Sequence, residues 1–95
     1  MPRSVLPALI RAIEARLRQL EIEMSIAESR VKEYEARYGM SSREFVERYE
    51  RGELGDSEDY VAWYGELKFL ELARKEYEEL KKVIKDTYRE LPERG

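Results

Sequence analysis

The first third of the chain carries an apolar residue at every third or fourth position, in strict alternation. These positions form one heptad seam: Ile10, Ile13, Leu17, Leu20, Met24, Ala27, Val31, Tyr34 and Tyr38. Proline fits only before a helix or in its first turn, so Pro2 and Pro7 mark where this helix begins. The pattern predicts a helix over about residues 5–38, roughly 50 Å long at 1.5 Å per residue.

A stop signal and a start signal follow this helix. Gly39 suits the left-handed residue that ends a helix. Ser41 and Glu44 have the spacing of a capping box, in which each residue satisfies a backbone N–H of the other. The sequence therefore predicts a short second helix over about residues 42–51.

A second long apolar stripe begins after the connection 52–56. Its members again recur at three and four residues: Tyr60, Trp63, Tyr64, Leu67, Leu70, Ala73, Tyr77, Leu80, Ile84, Tyr88 and Leu91. One extra three-residue step, between Leu70 and Ala73, makes the stripe drift around the helix. We expect Asp56 or Ser57 to cap this helix, which should run over about residues 57–90 and end before Pro92.

These elements predict an all-α fold in one domain, residues 1–95, in which the two long helices pack antiparallel as a coiled-coil-like hairpin. A lone hairpin buries only one stripe of each helix, so we expect two copies to associate into a helical bundle. With Ile10 as heptad position a, every e position of the first helix is acidic: Glu14, Glu21, Glu28 and Glu35. These residues would repel at close contacts between two e rows, which weighs against an antiparallel pairing of two copies of this helix but does not exclude packing against its other faces.

Four large apolar residues lie outside the main stripes, where a solvent-exposed helix face is normally polar: Ile22, Ile26, Phe69 and Leu72. Ile22 lies 17 residues before Gly39, and Leu72 lies 17 residues after Gly55. In an antiparallel hairpin these two residues should therefore be level. We expect the four to form an apolar band that binds a partner or a second copy. The alternative is that helix rotation buries them within one subunit.

Trp63 is the only tryptophan and lies beside Tyr60 and Tyr64. Tryptophan and tyrosine are frequent in binding hot spots, so Trp63 is a candidate for the association surface. The alternative is a core position, in which these rings fill the junction with Phe45 and Tyr49. The sequence leaves both interpretations open.

Composition removes most catalytic chemistry. The chain has no Cys and no His, which excludes disulfides, thiol catalysis, Ser-His-Asp triads and His-containing metal sites. We expect no catalytic, cofactor or metal site, and therefore no enzyme. Charged residues make up 41% of the chain and apolar residues 42%, a mixture typical of long amphipathic helices.

Charge and hydropathy also limit the partners. The net charge is −3, with 18 basic residues interleaved among 21 acidic ones, so we expect no nucleic-acid binding. The nearest candidate basic patch is Arg3, Arg11, Arg16 and Arg18. No apolar stretch has the length of a signal peptide or a membrane span, and a cytoplasmic location is expected. Scarce Asn and Gln beside abundant Glu, Lys and Arg resembles the composition of thermophile proteins.

The centre of the chain carries a family resemblance. The strings YGMSSREF (38–45) and YERGELGD (49–56), followed by Asp59 and Trp63, resemble small prokaryotic helical proteins presumed to be antitoxins of toxin–antitoxin pairs. The match covers about residues 34–70. It implies that an acidic helical protein neutralises a toxin-like, basic protein partner by covering its active surface. A structural coiled-coil protein, serving oligomerisation or as a scaffold, is the alternative.

Overall fold

The computed structural model describes residues 5–90, and the side chains of residues 5–89. Three helices follow one another: α1 Leu6–Tyr38, α2 Ser42–Glu50 and α3 Glu58–Glu90. Every helix end lies within one residue of its prediction, and the all-α fold is confirmed. Pro2, Arg3, Leu91 and Pro92, named above, lie outside the described residues.

The ends of α1 and α2 have the local chemistry that the sequence predicts. Pro7 lies in the first turn of α1. Gly39 ends that helix in the left-handed conformation, with φ of 62°, and its N–H donates to the carbonyl oxygen of Glu35. At the start of α2, the hydroxyl of Ser41 accepts a hydrogen bond from the backbone N–H of Glu44 at 3.1 Å. This is one half of the predicted capping box. The other half, a hydrogen bond from the Ser41 N–H to the Glu44 side chain, does not form between these described residues.

Ser57, and not Asp56, caps α3. The hydroxyl of Ser57 accepts a hydrogen bond from the backbone N–H of Tyr60 at 3.2 Å. Tyr60 follows Ser57 by three residues, which is the spacing of an N-cap hydrogen bond. Asp56 is one residue further from the helix. Its carboxylate instead accepts a hydrogen bond from the hydroxyl of Tyr49 at 3.2 Å, which ties the connection back to α2.

The helices α1 and α3 pack side by side and antiparallel along a rod of 61 × 21 × 20 Å. All nine residues of the α1 seam are buried or half-buried, so the heptad pattern identifies the contact face correctly. The fully buried side chains with the largest volumes are Trp63, Phe45 and Leu20. No helix in the described range 5–90 is long and apolar enough to cross a membrane.

Candidate protein-interaction surface

Trp63 anchors the junction of the three helices and is fully buried. Its ring stacks on Phe45 of α2 at 3.9 Å between centroids, with 3° between the planes. Its indole Nε1–H donates to the hydroxyl of Ser42 at 3.1 Å, and Tyr34 and Tyr38 of α1 stack nearby. Trp63 is therefore a core residue. Its inclusion among the association residues is wrong, because no part of its side chain reaches the surface of the folded chain.

A polar triad at the same junction joins the end of α1 to the first turn of α3. The hydroxyl of Tyr38 and the guanidinium of Arg37 both donate to the same carboxylate oxygen of Asp59, Arg37 at 2.7 Å. The bond to the Asp59 carboxylate, more than burial, raises the pKa of Tyr38. The hydrogen bonds from Tyr38 and then Arg37 lower the pKa of Asp59. Tyr38 thus keeps its proton at neutral pH and acts as a structural donor.

One long side of the hairpin is closed by three ion pairs, and we call it the arginine face. It is defined by residues of α1 that directly precede seam residues and by their acidic partners on α3: Arg16–Glu76, Arg30–Glu66 and Arg37–Asp59. Arg16 binds Glu76 through two nitrogens, at 2.7 and 2.9 Å, which is the bidentate geometry of a strong pair. The Arg30–Glu66 bond is longer, at 3.5 Å.

The acidic e positions of α1 belong to the opposite side. Glu21 follows the buried Leu20 and accepts a hydrogen bond from the hydroxyl of Tyr77 at 2.6 Å. Glu28 follows the buried Ala27 and lies 3.9 Å from Arg74. Residues before and after an inward-facing residue point to opposite flanks of a helix. The acidic row therefore cannot oppose a second helix that packs on the arginine face.

The four residues of the apolar band are exposed. The exposed fractions are 63% for Ile22, 49% for Ile26, 36% for Phe69 and 69% for Leu72. Burial of these residues by helix rotation inside one subunit, the alternative considered above, is therefore wrong for the single chain. Single apolar residues scattered over a surface are normal, but four large ones at one level of the hairpin indicate a binding surface.

The band lies on the arginine face and wraps around its outer edges. Ile26 directly precedes the buried Ala27, and Phe69 directly precedes the buried Leu70, so both share the flank of the ion pairs. Ile22 and Leu72 point further outward. In the chain, all four lie between the Arg16–Glu76 bridge and the Arg30–Glu66 bridge. Ile22 and Leu72 are thus at similar heights, as their equal distances from Gly39 and Gly55 predict.

The charges that border the band are neutralised within the chain. The hydrogen bond to Glu76 raises the pKa of Arg16 and, reciprocally, lowers the pKa of Glu76. Each guanidinium that defines this face has a carboxylate of α3 as its partner. The arginine face is therefore apolar in its middle and close to neutral around it.

The other exposed large apolar side chains of the described residues are Val5, Leu9, Val61, Val83 and Tyr88, all but Val61 near the free ends of α1 and α3. Within residues 5–90 no group of His, Cys, Asp and Glu side chains could hold a metal ion. A hollow near the end of α3 is lined by residues of that helix alone: Glu78, Lys81, Lys82, Lys85, Asp86 and Arg89. Because one exposed helix cannot enclose a ligand, this hollow is an open, mainly basic surface.

The ion pairs of the arginine face are the feature that sequence reasoning missed. Arg16, Arg30 and Arg37 recur at multiples of seven residues, each directly before a seam residue. That repeat could have predicted a basic row along one flank of α1. Its acidic partners depend on the register between α1 and α3, which the seam alone does not give.

Comparison with protein-family models, curated proteins and solved structures finds no match to this chain. The similarity of residues 34–70 to antitoxin-like proteins therefore stays a prediction.

Proposed function

We propose that this chain is a non-catalytic protein-binding module whose association surface is the apolar band, and that it acts like an antitoxin by neutralising a cognate protein. The observation that carries the proposal is the exposure of Ile22, Ile26, Phe69 and Leu72 at one level of the hairpin. Amphipathic helices bind through apolar side chains at this kind of spacing, one or two turns apart.

The free energy available from burying these side chains favours a band that is covered by a binding partner. Burying an Ile, Leu or Phe side chain fully contributes roughly 1.5–3 kcal/mol, and the exposed fraction of these four residues is still between 36% and 69%. Covering all four would contribute about 4 kcal/mol. That is a sizeable share of the free energy of a typical specific complex, about −8 kcal/mol at micromolar affinity.

Two further observations support the antitoxin-like part of the proposal. The chain is acidic overall, with a net charge of −3, which suits a basic partner. The titratable groups with shifted pKa values at the helix junction, Tyr38 and Asp59, bind each other and so serve packing. A neutralising protein needs a shaped surface and no reactive group.

A structural role is the second candidate. The unbroken α1 seam and the 61 Å rod are typical of coiled-coil proteins that hold assemblies together. A scaffold of this kind would associate with itself through the band and would need no toxin-like partner.

A growth assay separates these two functions. The antitoxin-like proteins that residues 34–70 resemble are often encoded beside a second short gene. The product of the reading frame adjacent to the gene of this chain is therefore expressed alone, then with this chain, then with the variant Ile22→Glu/Leu72→Glu. The matched control is Lys32→Gln/Lys81→Gln, which changes the net charge by the same amount. Both control residues are exposed, and each directly follows a stripe residue, so they lie on the flank opposite the arginine face.

The proposal predicts that the neighbouring product arrests growth, that the native chain and the control relieve the arrest, and that the band variant does not. Arrest without relief by the native chain, or no arrest at all, would refute the antitoxin-like function and favour the scaffold. Equal relief by the band variant would show that the partner binds elsewhere.

A further inference from the structure

The folded chain exposes more surface than a compact protein of its size. Its solvent-accessible surface is 7269 Å². A compact monomer of 11.4 kDa exposes about 5,800 Å² by the usual scaling with mass. The chain thus exposes about 1,500 Å² more than such a monomer, which is larger than the roughly 800 Å² that each partner contributes to a standard interface. One 61 × 21 Å side of the rod is large enough to provide an interface of that size.

The excess surface includes a second seam on the outer side of α1. Exposed residues recur there at steps of three and four: Ala8, Ala12, Ala15, Gln19, Ile22, Ile26 and Ser29. This is the heptad spacing of a helix that packs along its whole length against another. Its alanines and serine let a neighbouring backbone approach closely, and its two isoleucines lie near the middle.

The helix α3 carries a matching stripe. Its exposed members are Ala62, Gly65, Phe69 and Leu72, again separated by three and four residues. Each of Ala62, Phe69 and Leu72 directly precedes a buried residue of α3. This stripe therefore lies on the same side of the hairpin as the arginine face, next to the exposed second seam of α1. A Cβ atom at Gly65 would meet nothing within 4 Å, so the stripe is open to an incoming helix.

Charge along the rod indicates what covers this face. At the open end of the hairpin, residues 6–18 and, level with them, residues 76–89 hold seven basic and five acidic side chains. At the closed end, residues 33–65 hold nine acidic and four basic side chains. Two copies placed in the same direction would bring like charges together at both ends. A second copy placed with its ends reversed complements both ends.

We propose that the arginine face binds a second copy of this chain in an antiparallel four-helix bundle, with the two closed ends at opposite ends of the assembly. A two-fold axis perpendicular to the helices then passes through the level of the apolar band, so each band covers the other. In this arrangement α1 lies against α1 of the second copy, and the acidic e row, on the flank opposite the arginine face, points away from the second copy. The inference uses the same surface as the proposed function, so a cognate protein would bind the band in place of the second copy.

Cysteine cross-linking tests the arrangement directly, because the native chain has no cysteine. Ala12 and Ala36 are exposed positions of α1 on the outer side, near its open and closed ends. They lie 24 residues apart in the sequence, or about 36 Å along the helix. An Ala12→Cys chain and an Ala36→Cys chain are mixed in equal amounts, equilibrated, and treated with a short bis-maleimide. Each chain alone serves as the control.

The antiparallel bundle predicts that the mixture gives the mixed product, which joins an Ala12→Cys chain to an Ala36→Cys chain, in at least tenfold excess over either symmetric product. Symmetric products from each chain alone would place the two closed ends together and overturn the arrangement. A mixture in which all chains stay uncross-linked and monomeric would overturn the self-association and leave the band for a different protein. Growth relief by such a monomer would still support the proposed function, so the two failures are distinguishable.

Discussion

Removing the indole of Trp63 should be among the most damaging single changes to this fold. The side chain is fully buried, stacks on Phe45 at 3.9 Å and donates its N–H to Ser42. Replacement of a buried aromatic residue by alanine costs about 3–5 kcal/mol, because both the transfer energy and the cavity contribute. The whole free energy of unfolding of a domain this size is roughly 5–15 kcal/mol. Trp63→Ala should therefore lose about a fifth or more of it.

Two companion variants separate packing from hydrogen bonding. Trp63→Phe keeps a ring on Phe45 and loses the N–H donor, so its cost should be about 1–2 kcal/mol. Ser42→Ala keeps the indole but leaves its buried N–H without this acceptor, at about 1–3 kcal/mol. The matched surface control is Val61→Ala, on the same helix and 50% exposed, which should stay within about 0.5 kcal/mol of the native chain.

The assay is urea unfolding followed by helical circular dichroism, at one fixed protein concentration because association would make stability depend on concentration. A Trp63→Ala chain that loses less than about 1 kcal/mol, or no more than the Val61→Ala control, would refute the assignment of this tryptophan to the core.

Three further outcomes are expected from single substitutions, each read as a shift of the thermal midpoint against the native chain. Ser57→Ala should cost about 1 kcal/mol by removing the α3 cap, whereas Asp56→Ala should cost less, and the reverse order would return the cap to Asp56. Gly39→Ala should cost roughly 1–2 kcal/mol, because its φ of +62° disfavours a Cβ atom, and an unchanged midpoint would refute the left-handed end of α1. Because hydrogen bonds lower the pKa of Asp59, its ionised form stabilises the fold above the ordinary carboxyl pKa, and this contribution is lost as pH falls through the lowered value. Asp59→Asn should thus be destabilising at pH 7 and progressively less so in acid, and a difference that does not change with pH would refute the role of the charge.

Much of the fold could be predicted because local signals agree with the global arrangement. The α1 seam, the glycine after Tyr38 and the serine before Ser42 each point to the same three helices. The band could also be located, because Ile22 and Leu72 are off the main stripes and equally far from the turn. The spacing of apolar residues along a helix does not show whether their stripe is covered by the same chain or by another. For that reason Trp63 could not be assigned from the sequence.

The pairing across the hairpin also required the structure. A basic row at Arg16, Arg30 and Arg37 is visible in the sequence, but its acidic partners follow from the register and rotation of α3. That rotation depends on the extra three-residue step at Leu70–Ala73, which shifts the stripe by tens of degrees. The choice of Ser57 over Asp56 as the cap has a similar cause, since both residue types cap well and a one-residue shift of the helix start decides between them.

Sedimentation equilibrium of the native chain beside the Ile22→Glu/Leu72→Glu variant most directly tests whether the band binds a second copy. We expect a native mass of twice 11.4 kDa. The variant should stay helical, with a dimer dissociation constant raised by roughly tenfold or more, because unpaired carboxylates resist burial. The control Lys32→Glu, which changes the net charge by the same amount at an exposed position outside both charged ends, should sediment like the native chain. A native chain that stays at 11.4 kDa at every concentration, or a band variant that remains as fully dimeric as the native protein, would contradict self-association through the band.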